Sequence, residues 1–419
     1  MSGTSVCVTG MGLVTSVGTT AAGVMDAMCE GRSGVAATPP DHPLTGSLEV
    51  GGFAPPIDPD SVLPRSETVV VDRYVVMVMQ AAEDALADAG VVVGRDVDPF
   101  RTAVVISSTG GLSTLEAQVL AREARGRPGV SPYMLPGMLP NMGACRIAIK
   151  YGIRGYSSAI ATACAAGAHS IGEGARLLRD GVADVVVCGC GEAPFFPTLV
   201  DTFRNARALA HGWKAEPGAA SRPFDRRHNG MVLAEGAGVF VLERAAHADG
   251  RGAAGYADVV GWAATNDAHH PLMPDPEGEG AAQCMRLALA DAGIGPREIG
   301  YVNAHGTSTK LGDQAEALAI RKAFGGYSPP VSATKAVTGH MLGASGMAEA
   351  AVTVLALRRG LLPPTHNLDD PDPACELDHV RKGPRRAEIT HALSNSFGFG
   401  GHNVSVVFGR PSTRLARQV

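Results

Sequence analysis

Six residues that occur twice place the strongest constraint on the fold of this chain. The letters ALADAG stand at residues 85–90 and again at residues 288–293. In the first copy they end a helical pattern of apolar residues, and both copies lead to a β-like run, at 103–110 and at 301–307. The matched order of helix, loop and strand indicates an internal duplication. We therefore expect an α/β chain made of two similar halves.

The duplication divides the chain into residues 1–250 and residues 251–419. A composition of 45% hydrophobic and 18% charged residues is ordinary for a globular chain of 419 residues. The net charge of −5 and the absence of Lys/Arg runs argue against nucleic acid or an anionic membrane as the main partner. The N-terminal residues do not resemble a signal peptide, and no apolar run approaches the roughly 18 residues of a membrane span. We expect a cytoplasmic protein.

One cysteine stands where a strand would meet a helix. The run at 157–163 stops at Cys164, and Ile171, Ala175 and Leu178 then recur with helical spacing. Backbone N–H groups at a helix N-terminus favour a thiolate and can bind an oxyanion, which makes Cys164 a candidate nucleophile. A buried structural cysteine is the alternative. The eight cysteines include no CxxC pair, which suits reduced thiols and no metal site.

Two histidines and a lysine follow apolar runs in the second half. His305 comes after the run that ends at Asn303, and Lys335 and His340 come after the run that starts at Pro330. Because strand ends are where α/β sheets place their sites, these side chains are candidates to join Cys164. A surface or satisfied core histidine is the alternative for each.

Glycines near the N-terminus resemble part of a dinucleotide-binding fingerprint. Residues 6–15, VCVTGMGLVT, lack the third glycine of that motif. No acidic residue ends a second strand some 20 residues later. We therefore predict a tight glycine turn between a strand and a helix here, rather than a nucleotide site.

Four motifs together resemble the β-ketoacyl-acyl carrier protein synthase family of condensing enzymes, in its elongating type II branch. They are Thr162-Ala163-Cys164, His305-Gly306-Thr307-Ser308-Thr309, Lys335-Ala336-Val337-Thr338-Gly339-His340 and Gly398-Phe399-Gly400-Gly401. The resemblance extends over nearly the whole chain. It implies a thiolase-like fold, in which duplicated halves form a five-layer αβαβα sandwich.

The resemblance also implies roles for individual residues. Cys164 would take an acyl chain from a carrier protein as a thioester, and His305 and His340 would drive decarboxylation of a malonyl unit. Lys335 would orient and polarise the site. The backbone N–H groups of Cys164 and Phe399 would form the oxyanion hole.

Four residues would contact the substrate according to the same resemblance. Thr307 and Thr309 would bind the phosphopantetheine arm of the carrier protein, and the Phe399 ring would act as a gate. Phe203 would line the acyl channel, with core packing as the alternative. No cofactor or metal is implied, since the substrates arrive on the phosphopantetheine of an acyl carrier protein.

Three features of the sequence bear on the substrate and on the carrier protein. Thr109 replaces the bulky aliphatic residue that is usual at a gate to the acyl pocket. Residues 65–73 carry fewer Lys/Arg than family members often use to dock the carrier protein. Residues 192–197, EAPFFP, are closer to the polyketide branch than to the fatty acid branch.

We therefore predict a discrete ketosynthase for polyketide, and possibly polyene, biosynthesis. Fatty acid elongation is an alternative, and so is a non-catalytic chain-length factor, although such subunits usually lack the cysteine. A thiolase is a further alternative, but Lys335 with two histidines suits malonyl decarboxylation better. The resemblance implies a homodimer or a heterodimer with a chain-length factor.

Overall fold

A computed structural model describes residues 5–65, 68, 70–412 and 415–416. In the stretch 65–73, where the resemblance implies carrier-protein docking, residues 66, 67 and 69 lie outside the described residues. The far end of the second half, at 413–414 and 417–419, also lies outside them.

Helices and strands alternate along both halves. The helices are α1 Ala21–Glu30, α2 Pro59–Val62, α3 Arg73–Ala89, α4 Leu112–Arg125, α5 Met134–Met138, α6 Met142–Tyr151, α7 Ala166–Arg179, α8 Pro197–Asn205, α9 Ala245–Gly250, α10 Glu279–Ala292, α11 Lys310–Phe324, α12 Lys335–Thr338 and α13 Ser345–Arg359. The strands are β1 Val6–Val14, β2 Val35–Ala37, β3 Val50–Gly52, β4 Thr102–Ser107, β5 Ser157–Ser158, β6 Val185–Glu192, β7 Gly236–Arg244, β8 Ala254–Gly255, β9 Ala257–Asn266, β10 Ile299–Asn303, β11 Pro330–Ser332, β12 Leu361–Leu362, β13 Asp378–His379, β14 Arg385–Arg386, β15 His391–Gly398, β16 His402–Gly409 and β17 Leu415–Ala416.

Eleven strands form one hydrogen-bonded sheet, which a short pairing divides into two parts, called here the first and the second sheet. The first has the order β1-β7-β6-β4-β5 and the second the order β9-β16-β15-β10-β11-β13. The described strands also form three separate pairs, β2-β3, β8-β17 and β12-β14. They join where Cys7 and Val8 of β1 pair with Asp258 and Ala257 of β9. The sheets therefore follow the two predicted halves of the chain, whose boundary at residue 250 stays a prediction.

Helices cover both sheets and fill the space between them. α3 and α6 pack on the outside of the first sheet, and α10 packs on the outside of the second with α11 beside it. α7 and α13 pack against each other in the middle, and each touches strands of both sheets. This confirms the predicted thiolase-like sandwich of five layers. The largest buried apolar cluster lies in the middle layer and includes Ile171, Met347 and Phe408.

The repeated hexapeptide makes the same contact in each half. A Cβ placed on Gly10 of β1 would lie 2.2 Å from the carbonyl oxygen of Ala85, and one on Gly261 of β9 would lie 2.5 Å from that of Ala288. The aspartate of each copy then accepts a backbone N–H from the residue after the glycine. The Asp88 carboxylate accepts from Met11 at 3.0 Å, and the Asp291 carboxylate accepts from Trp262 at 2.9 Å. The motif thus presses a helix end onto a strand in both halves.

Two local predictions were wrong. Residues 6–15 do not form a glycine turn, because β1 runs through Gly10 and Gly12 to Val14, and the missing side chains let α3 approach. The apolar run before Cys164 is not a strand up to the cysteine, since β5 ends at Ser158. The helix after the cysteine, α7, follows the prediction.

All eight cysteines are free thiols, as predicted. Cys164 is buried, and so are five of the other seven. Among the described residues, none of the helices combines the length and the apolar character that crossing a bilayer requires.

Candidate active site

Cys164 lies in a strained turn at the start of α7. The turn spans Ala163–Ala165, and Ala163 has a φ of 48°, in the left-handed region that favours glycine. The N-termini of α7 and α13 meet here, since a Cβ on Gly167 would lie 2.4 Å from the carbonyl oxygen of Gly343. Small residues in both helices therefore hold the Cys164 turn at the base of a cleft.

Burial dominates the electrostatics of the Cys164 sulfur. It raises the pKa of the thiol to about 12, although the charge on Lys335 and the backbone N–H groups of Phe399 and Cys164 act in the opposite direction. The backbone N–H groups at the helix N-terminus therefore lower the Cys164 pKa, as predicted, but burial raises it by more. Cys164 is therefore a thiol near neutral pH.

His305 and His340 contact each other edge-on in the cleft that Cys164 also lines. Their ring centroids lie 5.3 Å apart and the rings are nearly perpendicular. Burial lowers the pKa of both imidazoles well below the ordinary value, and the charge on Lys335 adds to this effect. Both rings are therefore neutral at physiological pH.

A hydrogen bond assigns the tautomer of His305. The Lys335 ammonium lies 3.2 Å from Nδ1 of His305 and can only donate, so this ring carries its proton on Nε2. The Ser345 hydroxyl accepts the Met341 N–H at 2.8 Å and lies 3.1 Å from Nδ1 of His340. When that hydroxyl donates to Nδ1, His340 also carries its proton on Nε2, and both rings can then act as hydrogen-bond donors.

Lys335 lies behind the histidines in a fully buried ion pair. Its ammonium donates to the carboxylate of Glu349 on α13 and to the carbonyl oxygen of His305. On the other side, the Glu316 carboxylate accepts the N–H groups of His305 and Gly306, each at 2.8 Å. These contacts anchor the backbone that presents His305.

The glycine-dense turn brings a second N–H group to the sulfur. A Cβ on Gly398 would lie 3.0 Å from the backbone nitrogen of Cys164, so only glycine allows this approach. Gly400 and Gly401 have φ values of 80° and 73° and reverse the chain into β16. The N–H groups of Phe399 and Cys164 consequently lie near the same sulfur.

One cleft collects most of the residues predicted from the sequence. Its empty space, including the open mouth, is about 850 Å³. The predicted residues that line it are Cys164, Phe203, Thr307, Thr309, His305, His340 and Phe399. The Thr307 and Thr309 hydroxyls are hydrogen bonded to each other at 2.8 Å, and the Phe203 and Phe399 rings lie 6.1 Å apart.

Thr109 is not among the residues that line this cleft. It lies exposed between β4 and α4, where its side chain is bound to Glu192. Lys335 is also outside the lining, and it contacts the cleft through His305.

Sequence reasoning missed the buried carboxylates around the site. Glu349 and Glu316 are charged residues on helix faces that are otherwise apolar. A charged residue in such a pattern indicates a buried partner, and this was the signal in the sequence that could have identified them. It also missed the apolar mouth of the cleft, formed in part by Leu272, Met273 and Pro274, which has no pattern in the sequence.

The chain matches two parts of one family. Residues 4–248 match the description "Beta-ketoacyl synthase, N-terminal domain", and residues 256–369 match "Beta-ketoacyl synthase, C-terminal domain". A relative from Synechocystis sp., named 3-oxoacyl-[acyl-carrier-protein] synthase 2, is 40% identical over 406 residues. The match covers 96% of this chain and 97% of the relative.

Solved structures of ketosynthases share the fold. One is AntDE:AntF, a type II PKS acyl-carrier protein in complex with its ketosynthase bound to the hexaketide. It matches this chain with a TM-score of 0.90 and 29% identity. Another is the ishigamide ketosynthase/chain length factor, also with a TM-score of 0.90 and 29% identity. Both matches cover 98% of this chain and 100% of the other. A thiol, two neutral imidazoles and paired N–H groups in one cleft suit acyl transfer and carbanion stabilisation, and the chain belongs to the beta-ketoacyl synthase family of condensing enzymes.

Proposed function

We propose that this protein elongates an acyl chain by decarboxylative Claisen condensation with malonyl-acyl carrier protein. The observation that supports it most is the meeting of Cys164, His305 and His340 in one cleft, with Lys335 behind them. The cysteine also argues against a non-catalytic chain-length factor. The acyl carrier protein is the partner that delivers both substrates.

In the first half-reaction the Cys164 sulfur attacks the carbonyl carbon of an acyl thioester. The new C–S bond forms as the carrier thiol leaves and takes up the proton that Cys164 loses. Because the resting thiol has a pKa of about 12, stabilisation of the developing negative charge is what makes this step possible. Lys335 supplies charge, and the N–H groups of Cys164 and Phe399 hold the oxyanion.

In the second half-reaction a malonyl thioester loses carbon dioxide. The electron pair of the broken C–C bond moves into an enolate, whose oxygen accepts the Nε2–H groups of His305 and His340. The enolate carbon then attacks the Cys164 thioester, and the thiolate that leaves takes up one proton. Thr307 and Thr309 hold the phosphopantetheine arm, and Phe399 and Phe203 border the path of the acyl chain.

We assign the product to the polyketides, a class that includes the polyenes. Thr109 and the 192–197 segment support this assignment, as does the likeness to two polyketide-type ketosynthases. The 40% identity to a 3-oxoacyl-[acyl-carrier-protein] synthase 2 favours fatty acid elongation as the second candidate. Mass spectrometry of carrier-bound products distinguishes them, since conjugated products support the first and saturated chains, after reduction, support the second.

The protein acts as a dimer in this proposal, with a second copy or with a chain-length factor. β5 is an edge strand of the sheet, and the exposed Tyr156 directly precedes it. Other exposed apolar residues of this half are Val119 and Leu120 on α4 and Leu135 on α5. An edge strand with apolar neighbours is suited to pairing with another subunit.

Acylation at Cys164 is the direct test of the condensing function. Incubation with an acyl carrier protein thioester should add one acyl group, which peptide mapping should locate on Cys164. Cys164→Ala should remain unlabelled. Label on Cys145, Cys188 or Cys190 that persists in Cys164→Ala would refute the assignment.

A further inference from the structure

Glu192 is a buried carboxylate that the two half-reactions do not use. It is the last residue of β6, and only 1% of its surface is exposed. The Thr109 N–H donates to its two oxygens at 3.1 and 3.2 Å, and the Thr109 hydroxyl donates to Oε2 at 2.5 Å. One carboxylate therefore fixes both the backbone and the side chain of Thr109.

The other side of Glu192 faces the turn that carries the nucleophile. The Gly343 N–H stabilises the charged carboxylate. A Cβ on Gly343 would lie 3.0 Å from Oε1 of Glu192 and 3.1 Å from the carbonyl oxygen of Ala163. Gly343 is thus wedged between Glu192 and the residue that precedes Cys164.

Glu192 and Cys164 also interact through charge. The negative charge on Glu192 raises the pKa of the Cys164 thiol, and burial raises the pKa of Glu192 itself to about 7. The other titratable groups that face Glu192 are Cys190 on its own strand and Asp72 and Tyr74 near the start of α3. Near neutral pH Glu192 therefore exists in both forms.

We propose that Glu192 is a positioning residue that couples Thr109 to the Cys164 turn: it fixes the Thr109 hydroxyl and, when charged, opposes a thiolate on Cys164. The role in catalysis rests on the function proposed above, because that function makes Cys164 the nucleophile. A change that disturbs Thr109 should then alter the reactivity of Cys164, even though Thr109 does not line the cleft.

Alkylation of Cys164 by iodoacetamide tests the charge coupling. Below the pKa of the thiol, the rate follows the thiolate fraction. In Glu192→Gln we expect alkylation at pH 8.5 to be about tenfold faster than in the wild type, because the negative charge that opposes the Cys164 thiolate is gone. The ratio should shrink towards one at pH 6, where Glu192 of the wild type is protonated.

The matched control is Glu173→Gln, which makes the same substitution on α7, where the carboxylate pairs with Arg176 at 2.7 Å. Its Cys164 should react at the wild-type rate. Equal rates in Glu192→Gln and the wild type at both pH values would overturn the proposal, and so would a ratio that does not change with pH.

Substitutions of Thr109 test the positioning and do not depend on the folding of Glu192→Gln. Thr109→Val removes the hydroxyl that stabilises the charged carboxylate, so Glu192 should be protonated more at pH 7.5 and Cys164 alkylated faster. Thr109→Ser keeps the hydroxyl and should match the wild type. In a Thr109→Val, Glu192→Gln double variant the Thr109 change should add nothing, because the carboxylate is already gone.

Two readouts separate this inference from the proposed function. A wild-type protein that does not condense malonyl thioester would contradict the function, while the alkylation comparison would still decide the coupling. If the wild type condenses malonyl thioester but Cys164 is alkylated equally fast in Thr109→Val and Thr109→Ser, the coupling alone is refuted.

Discussion

The two active-site histidines, His305 and His340, are neutral hydrogen-bond donors in the proposed reaction. His305 and His340 are buried, and the burial and the nearby Lys335 charge keep both imidazoles unprotonated. A neutral ring can donate to an enolate oxygen without first having to bind a proton. Lys335 therefore has two effects, since its charge favours the Cys164 thiolate and its hydrogen bond sets the His305 tautomer.

Loss of either imidazole should slow decarboxylation. We expect His305→Ala and His340→Ala each to reduce carbon dioxide release from malonyl thioester by about 10²–10³-fold, the usual cost of removing one donor to an oxyanion. Release of labelled carbon dioxide measures this. Acylation of Cys164 by an acyl thioester, measured in parallel, shows whether the cleft is intact. Wild-type release in both variants would contradict the assigned roles.

The neutral imidazoles also predict a pH dependence. A solvent-exposed histidine becomes charged below about pH 6.5. Because the pKa values of His305 and His340 are lowered in the folded state, their neutral form should persist below this pH. We expect carbon dioxide release in Cys164→Gln, which cannot be acylated, to stay level from pH 8 to pH 6. A tenfold loss over that range, with the protein still folded by circular dichroism, would contradict the burial argument.

Lys335 and Glu349 should be costly to separate. Lys335→Met leaves the Glu349 carboxylate buried without its partner, a change that typically costs about 3–5 kcal/mol. The double variant Lys335→Met, Glu349→Leu removes both charges and should recover much of this loss. Urea unfolding measures the free energies, and equal stability of the single and double variants would show that the pair is not coupled.

At the scale of elements, the repeated helix-on-strand contact explains why glycine is required at two distant positions. Gly10→Ala and Gly261→Ala both place a methyl group against helix backbone, so each should lower the free energy of unfolding by about 1–3 kcal/mol. Gly250→Ala is the matched control, since no atom lies within 4 Å of its added Cβ. Urea unfolding should separate the first two variants from the third.

The same contact shows what could be predicted from the sequence. The hexapeptide, its helical spacing and the following strand are local patterns, and they predicted α3, α10 and the duplication. The prediction of a turn at the β1 glycines was wrong, because the sequence alone does not distinguish a glycine needed for close helix packing from one needed for chain reversal. Glu192 and Glu349 could not be assigned, since their partners Thr109 and Lys335 come from other elements.

At the scale of the whole molecule, the subunit partner should set how long the product grows. We expect a dimer by light scattering, and a well-folded active monomer would contradict it. Co-purification with a neighbouring homologue distinguishes a chain-length factor from a second copy.

A bulky residue at position 109 tests the gate that the family resemblance implies there. Thr109→Ile and Thr109→Val both lack the hydroxyl that binds Glu192, so they should change the reactivity of Cys164 alike. The extra methylene of Thr109→Ile should in addition shorten the products, because a rigid conjugated chain cannot change rotamers to avoid a bulky side chain. Mass spectrometry of the carrier-bound products measures this, and equal product lengths in the two variants would contradict the gate.

The shared middle layer decides how the chain can be divided. α7 comes from the first half and α13 from the second, yet each packs on strands of both sheets. A polypeptide cut after residue 250 would leave each fragment with a bare apolar surface where the other fragment's helix belongs. Separately expressed fragments should aggregate, whereas co-expressed fragments should reassemble into a soluble, acylatable protein. We therefore expect the two halves to unfold together in a single transition.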